Sequence, residues 1–253
     1  MQDLLNLPAR STKPRQVGIT HVIDRGLAIA EVDGMVEVAG EFIDIVKLGW
    51  GTALATANLA PKLDRYRVHG LPVVLGGTLT EIAIAQERLD RLIAWVHELG
   101  LEHFEISDGT IALEHERKLE LIERLSHEFT VLSEVGSKDD TGAITPPYRW
   151  VEMMRAELAA GAWKVIAEGR EAGTAGIFRP TGEVREGLID EIVHEVDPER
   201  IMFDAPRKHQ QVWFVRRFGS EVNLGNISAG DALALETLRL GLRSDTLGIG
   251  PSG

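Results

Sequence analysis

Eight short β-rich runs recur along the chain, each closing on polar residues or glycine, and segments with helical periodicity separate them. This alternation is the pattern of βα units stacked into a parallel sheet. The runs are Gly18–Asp24, Ile43–Gly49, Pro72–Gly76, His103–Asp108, Thr130–Val135, Trp163–Glu168, Arg200–Asp204 and Glu221–Gly225. The clearest helical stretch is Thr80 to Leu99: Ile82, Ala85, Leu89, Leu92, Ile93 and Val96 fall on one face, and Glu87, Arg88, Asp90 and Arg91 on the other. Gly100 then supplies a stop. Further amphipathic stretches are Glu114–Glu128, Tyr148–Ala160, Val184–Glu195, Gln210–Phe218 and Ala229–Leu240, with a shorter one at Ala28–Ala39. Eight such units in 253 residues fit a single α/β domain, a (β/α)8 TIM barrel over about residues 17–243. A short arm precedes it, and the tail 244–253, rich in Gly, Ser and Pro, is expected to be poorly ordered. No G-x-G-x-x-G follows a strand, which favours the barrel over an open doubly wound sheet, the structural alternative.

Composition removes several functional classes. Lys and Arg number 27 against 39 Asp and Glu, and the net charge of −12 disfavours nucleic acid and anionic membranes as partners, while leaving room for a local cationic pocket. The absence of cysteine excludes disulfides, thiolate metal sites and cysteine nucleophiles. No apolar run approaches the ~18 residues of a membrane span, and residues 1–14 lack a signal-peptide core, so a cytoplasmic location is expected.

In a barrel the chemistry collects at the C-terminal strand ends. These carry His21, Asp24, Arg25, Lys47, Thr78, Glu105, Ser107, Asp108, Glu134, Lys138, Glu168, Arg170, Asp204, Arg207, Lys208, Asn223, Asn226 and Ser228. Glu105, Glu134, Glu168 and Asp204 come from four consecutive strands, and four carboxylates around one cavity need cations to ionise together. A hard ion such as Mg2+ suits oxygen donors; the alternative is ion pairing within the barrel to Lys47 or Lys164. Lys47 shares a strand face with Ile45 and Gly49 and is expected in the barrel mouth, as a functional ammonium or a salt-bridge partner. Lys138 follows Gly136 on a loop and is either catalytic or merely solvated. Arg170, two residues beyond Glu168, can grip a phosphate or carboxylate, or pair with Glu168. In N-L-G-N-I-S-A-G-D, Gly225, Asn226 and Ser228 read as a turn and a helix start capped by Ser228, whose backbone N–H groups suit a phosphate. Asp24 can bind substrate or form a turn.

Taken together, G-I-T-H-V-I-D-R-G, D-I-V-K-L-G-W-G-T, L-G-G-T-L-T-E, F-E-I-S-D-G-T, S-E-V-G-S-K-D, V-I-A-E-G-R-E, D-A-P-R-K and N-L-G-N-I-S resemble the phosphosulfolactate synthase family from about Val17 to Arg243. The resemblance implies a Mg2+-dependent addition of sulfite to phosphoenolpyruvate through an enediolate-like species. It assigns the proton donor to Lys138; Lys47, Arg170 and the Gly225–Ser228 turn to phosphate or sulfonate; and Glu105, Glu134 and Glu168 to metal, with Asp204 in reserve. Asp24 and Arg207 are further expected substrate contacts. The resemblance also implies a homo-oligomer, a trimer. Alternatives are a related lyase using another nucleophile or enolpyruvate substrate, and a stress-associated barrel with little catalysis.

Overall fold

The computed structural model describes residues 4–136, 145–170 and 172–249. Eight parallel strands form one sheet: β1 (Thr20–Asp24), β2 (Ile45–Leu48), β3 (Val73–Leu75), β4 (His103–Ile106), β5 (Thr130–Val135), β6 (Lys164–Ala167), β7 (Ile201–Asp204) and β8 (Leu224–Ser228). The hydrogen-bonded order is β3-β2-β1-β8-β7-β6-β5-β4, so the sheet curls until β3 and β4 face each other across one seam without ladder bonds. Side chains close that seam. Glu105 on β4 accepts from the Gly77 N–H at 2.5 Å, and its own carbonyl accepts from Thr80 Oγ1 at 2.8 Å. The result is the (β/α)8 barrel that the alternation predicts.

Ten helices surround it among the described residues: α1 (Ile29–Ala39), α2 (Thr52–Ala55), α3 (Leu59–Val68), α4 (Gly77–Ala85), α5 (Leu89–Glu98), α6 (His115–Ser126), α7 (Pro147–Ala159), α8 (Glu186–Glu195), α9 (Lys208–Phe218) and α10 (Ala232–Arg239). Two differ from the sequence reading. The stretch Thr80–Leu99 is not one helix: α4 and α5 are separated at Gln86–Arg88, where Glu87 adopts φ +56°. Helix α3 was not anticipated. Its Pro61 falls in the first turn, where the missing N–H would be unpaired anyway, so the ring does not break it.

Period-2 alternation sets two layers inside the barrel. Ile19, Ile45, Val74, Leu132, Ile166 and Met202 form a buried apolar plug. One step further along the same strand faces stand His21, Lys47, Gly76, Glu134, Glu168 and Asp204, so the plug floors a polar mouth. A larger apolar core fills the space between the sheet and the helices. The tail is better held than its composition suggests, out to Ile249: Asp245 pairs with Lys208 at 2.6 Å, Thr246 is buried, and Ile249 packs on the core.

Candidate active site

Lys47 is the centre of the polar layer. Its ammonium lies 2.7 Å from Glu105 and 2.8 Å from Glu134, and both pairs are buried. Burial alone would lower the Lys47 pKa, but Glu105, Glu134 and Asp204 together hold it above the ordinary lysine value. The acids respond in the opposite sense. Burial pushes Glu105 up to about 7, with Lys47 opposing the rise and Glu134 adding to it. Burial likewise pushes Asp204 up to about 7, against the pull of Lys47 and a 3.0 Å hydrogen bond from the Gly169 N–H. One ammonium therefore does not compensate these acids fully. His21 lies in the same layer and is fully buried; burial, helped by Lys47, drops its pKa to about 3, so the ring is neutral.

Above this layer opens a 330 Å³ cavity lined by Ile23, Lys47, Gly49, Trp50, Gly76, Thr78, Glu134, Glu168, Arg170, Ala172, Thr174 and Asn226. A larger 500 Å³ cleft, bordered by Arg15, Asp44, His103 and Trp163, lies at the N-terminal strand ends, where barrels do not place chemistry. Backbone strain marks the smaller cavity as the special one. Four non-glycine residues among those described have positive φ, and three of them, Trp50 (56°), Arg170 (53°) and Asn226 (54°), line it. For Trp50 and Arg170 this conformation costs about 1–3 kcal/mol each, less for Asn226, and it persists where surrounding structure fixes it, commonly at ligand clamps.

The anticipated residues divide accordingly. Lys47, Glu134, Glu168, Arg170 and Asn226 meet at the cavity wall. Glu105 sits deeper, committed to Lys47 and the β3–β4 seam, and Asp204 is buried against Gly169. Among the described residues no group of three or more His, Asp or Glu is arranged to hold a metal ion. Lys164 pairs with none of these acids: its ammonium reaches the Glu199 carbonyl at 2.6 Å, and burial lowers its pKa to about 8.

Asp24 forms the turn that was its second reading and is buried among scaffold contacts. Its Oδ1 accepts from the Gly26 and Leu27 N–H groups at 2.7 Å each, and its Oδ2 meets Tyr66 Oη at 2.8 Å and the Lys62 ammonium at 2.5 Å. Arg207 is exposed at the start of α9, where its N–H donates to Gln210 Oε1 at 3.1 Å, and it does not line the cavity. The expected Gly225–Ser228 turn is strand: β8 runs through Ser228, whose side chain makes no cap hydrogen bond. Gly225 acts through its bareness, since a Cβ there would stand 3.1 Å from Asp204 Oδ1 and 3.3 Å from His21 Nδ1. Lys138 lies outside the described residues.

The comparisons decide the family. The model of (2R)-phospho-3-sulfolactate synthase (ComA) matches residues 8–245. The chain belongs to the phosphosulfolactate synthase family. Phosphosulfolactate synthase of Bacillus subtilis (strain 168) is 41% identical over 244 residues, 96% of this chain and 97% of that one. Phosphosulfolactate synthase of Methanothermobacter thermautotrophicus is 41% identical over 246 residues, 95% of each. Solved structures share the fold alone. 3-Hexulose-6-phosphate synthase aligns with TM-score 0.52 at 15% identity, covering 86% of this chain and 97% of that one. Phosphonopyruvate hydrolase in complex with oxalate and Mg++ aligns with TM-score 0.52 at 11% identity, covering 85% and 77%. No helix among the described residues is long and apolar enough to cross a membrane.

The family strings fall where the cavity is built. D-I-V-K-L-G-W-G-T delivers Lys47 and Trp50, V-I-A-E-G-R-E delivers Glu168 and Arg170, and N-L-G-N-I-S delivers Asn226. The sequence reading did not single out Trp50 or Thr174 as site residues. For Trp50 the available signal was its place between two glycines directly after β2.

Proposed function

We propose that this chain adds sulfite to phosphoenolpyruvate to give (2R)-O-phospho-3-sulfolactate in the cavity above Lys47. The observation that carries the reading is the family match over residues 8–245, and the cavity supports it: guanidinium, ammonium and amide groups stand beside carboxylates over a buried apolar floor. Arg170, aimed by its positive φ, and Asn226 on β8 would take the phosphate, on the side where barrels commonly bind it. Lys47 offsets part of the acid charge beneath the substrate.

The donor set suits Mg2+: the oxygens are hard, the buried acids exceed the one ammonium, and Mg2+ commonly takes only one or two carboxylates besides substrate oxygens. Glu134 and Glu168, which reach the cavity wall, would hold it. When bound, the ion supplies a Lewis acid for the substrate carboxylate. The sulfite sulfur donates its lone pair to the methylene carbon, forming the C–S bond, and the double-bond electrons move into the carboxylate as an enediolate. A proton then arrives at the phosphate-bearing carbon, and no group leaves. Lys138 is our donor for that proton; it follows the cavity-lining Glu134 by four residues. The fully buried floor closes the barrel to water from beneath the site. We further propose that the protein works in the cytoplasm as a homo-oligomer, a trimer.

The test is product formation from phosphoenolpyruvate and sulfite with Mg2+, set against EDTA and sulfite-free controls. A sulfite- and metal-dependent phosphosulfolactate peak is expected. Folded protein that forms no such product would favour the related lyase using another nucleophile.

A further inference from the structure

Two loops at the cavity rim are lashed together. The Gly49 N–H donates to the Asp24 carbonyl at 3.1 Å, joining the end of β2 to the end of β1. Asp24 Oδ1 closes a tight turn by accepting from the Gly26 and Leu27 N–H groups, and that turn presents Arg25. On the other side the Gly49 carbonyl accepts from the Thr52 N–H at 3.0 Å and from Thr52 Oγ1 at 2.8 Å, closing a turn that presents Trp50. Trp50 and Gly51 both have positive φ in that turn, 56° and 65°. Glycine or asparagine would adopt this conformation with little strain, so a bulky indole there needs a reason.

The two presented side chains meet. The Arg25 guanidinium stands 5.3 Å from the Trp50 ring centroid, within cation–π range. Trp50 lines the cavity and is 52% exposed, and the exposed Arg25 stands against its ring beside the cavity, outside the lining itself. Arg25 makes no salt bridge to any described carboxylate, although acids outnumber bases in this chain. Lys47 differs, since Glu105 and Glu134 already hold it. Arg170 follows β6, three strands from β1 in the sheet order, so the rim offers two separated guanidinium groups. Two anionic substrates at one mouth call for two cationic positions.

We infer that Arg25, stacked on Trp50, forms a second oxyanion subsite that binds the sulfite nucleophile and the sulfonate it becomes. This rests on the reading of the reaction given above. The fork of the guanidinium matches two oxygens of a pyramidal sulfite, and stacking fixes the plane of that fork before the anion arrives. Sulfite held on the β1–β2 side faces phosphoenolpyruvate anchored on the β6–β8 side, so the subsite contributes position to the C–S step.

The test uses Arg25→Gln, Arg25→Lys and Trp50→Leu, each confirmed folded by circular dichroism. Losing a charge-assisted hydrogen bond should raise the KM for sulfite roughly tenfold to a hundredfold in Arg25→Gln, while the KM for phosphoenolpyruvate stays near wild type. Arg25→Lys should restore only part of the loss, and Trp50→Leu should weaken sulfite selectively. An unchanged sulfite KM, or an equal rise for both substrates, overturns the proposal. Calorimetric titration with inorganic sulfite and inorganic phosphate separates this proposal from the reaction itself. Selective loss of sulfite binding in Arg25→Gln upholds the subsite even if no phosphosulfolactate forms. Equal sulfite binding by wild type and variant overturns it even if the reaction proceeds, and so does selective loss of phosphate binding.

Discussion

Replacing Lys47 by Met should convert the polar layer from an ion cluster into a set of buried acids that must take up protons. The ammonium contacts two carboxylates at 2.7 and 2.8 Å, and none of the three side chains is more than 8% exposed. Removing one partner of a buried pair costs about 3–5 kcal/mol, because the stranded charge stays buried. The sign of the pH dependence follows from the acids. Glu105 and Asp204 already have folded pKa values raised to about 7, above the ordinary 4.5 and 3.8. An acid raised on folding binds more protons in the native state, so its contribution to stability is greatest at low pH and is lost as pH rises towards the folded pKa. Without Lys47 the folded values rise further, and the losing window extends above 7. Urea unfolding of wild type and Lys47→Met should therefore show a gap of about 3–5 kcal/mol at pH 8. The gap should shrink by about 2 kcal/mol or more by pH 5.5, given at most about 1.4 kcal/mol per pH unit for each carboxylate. A gap that is constant across this range, or below about 1 kcal/mol at pH 8, would refute the account of Lys47 as the counter-charge of the layer.

Other consequences concern residues outside the cavity. Lys118 is buried behind β5, 2.9 Å from both Asp108 and Glu157 and 2.6 Å from the Glu134 carbonyl. Lys118→Met should cost about 3–5 kcal/mol in equilibrium unfolding, and Lys118→Met with Glu157→Leu should recover much of it, because the stranded acid is removed with its partner. A double variant no better than the single one would contradict this. Asp24→Asn should lower the melting temperature, since the amide cannot keep the Lys62 ion pair at 2.5 Å as well as the bonds to Tyr66 and the turn. Because the Arg25 turn depends on Asp24, the KM for sulfite should rise with it; a stability loss with unchanged sulfite KM would separate the two roles.

The strand ends were legible because the alternation that buries Ile45, Leu132, Ile166 and Met202 places Lys47, Glu134, Glu168 and Asp204 one step further on the same face. What could not be read was anything set by a contact across the fold. Asp24 looks like a ligand or a turn former until α3 brings Lys62 and Tyr66 against it, and α3 itself was hidden by Pro61 and by five charged or aromatic residues among its ten. Glu105 looked like Glu134 and Glu168 in sequence, yet it closes the β3–β4 seam because β3 and β4 share no ladder bonds. The break at Glu87 was invisible because Gln86, Glu87 and Arg88 all suit a helix surface, and only a backbone angle distinguishes them. The same holds for Trp50, whose role follows from a positive φ that residue identity does not suggest.

The most direct test of the central claim is to run the reaction in D2O with phosphoenolpyruvate, sulfite and Mg2+ and locate the isotope in the product by mass spectrometry and NMR. The account predicts phosphosulfolactate that retains its phosphate and carries a single deuterium, on the phosphate-bearing carbon, with the sulfonate on the former methylene. Release of inorganic phosphate, deuterium on the sulfonate-bearing carbon, or no C–S product from folded protein would contradict it.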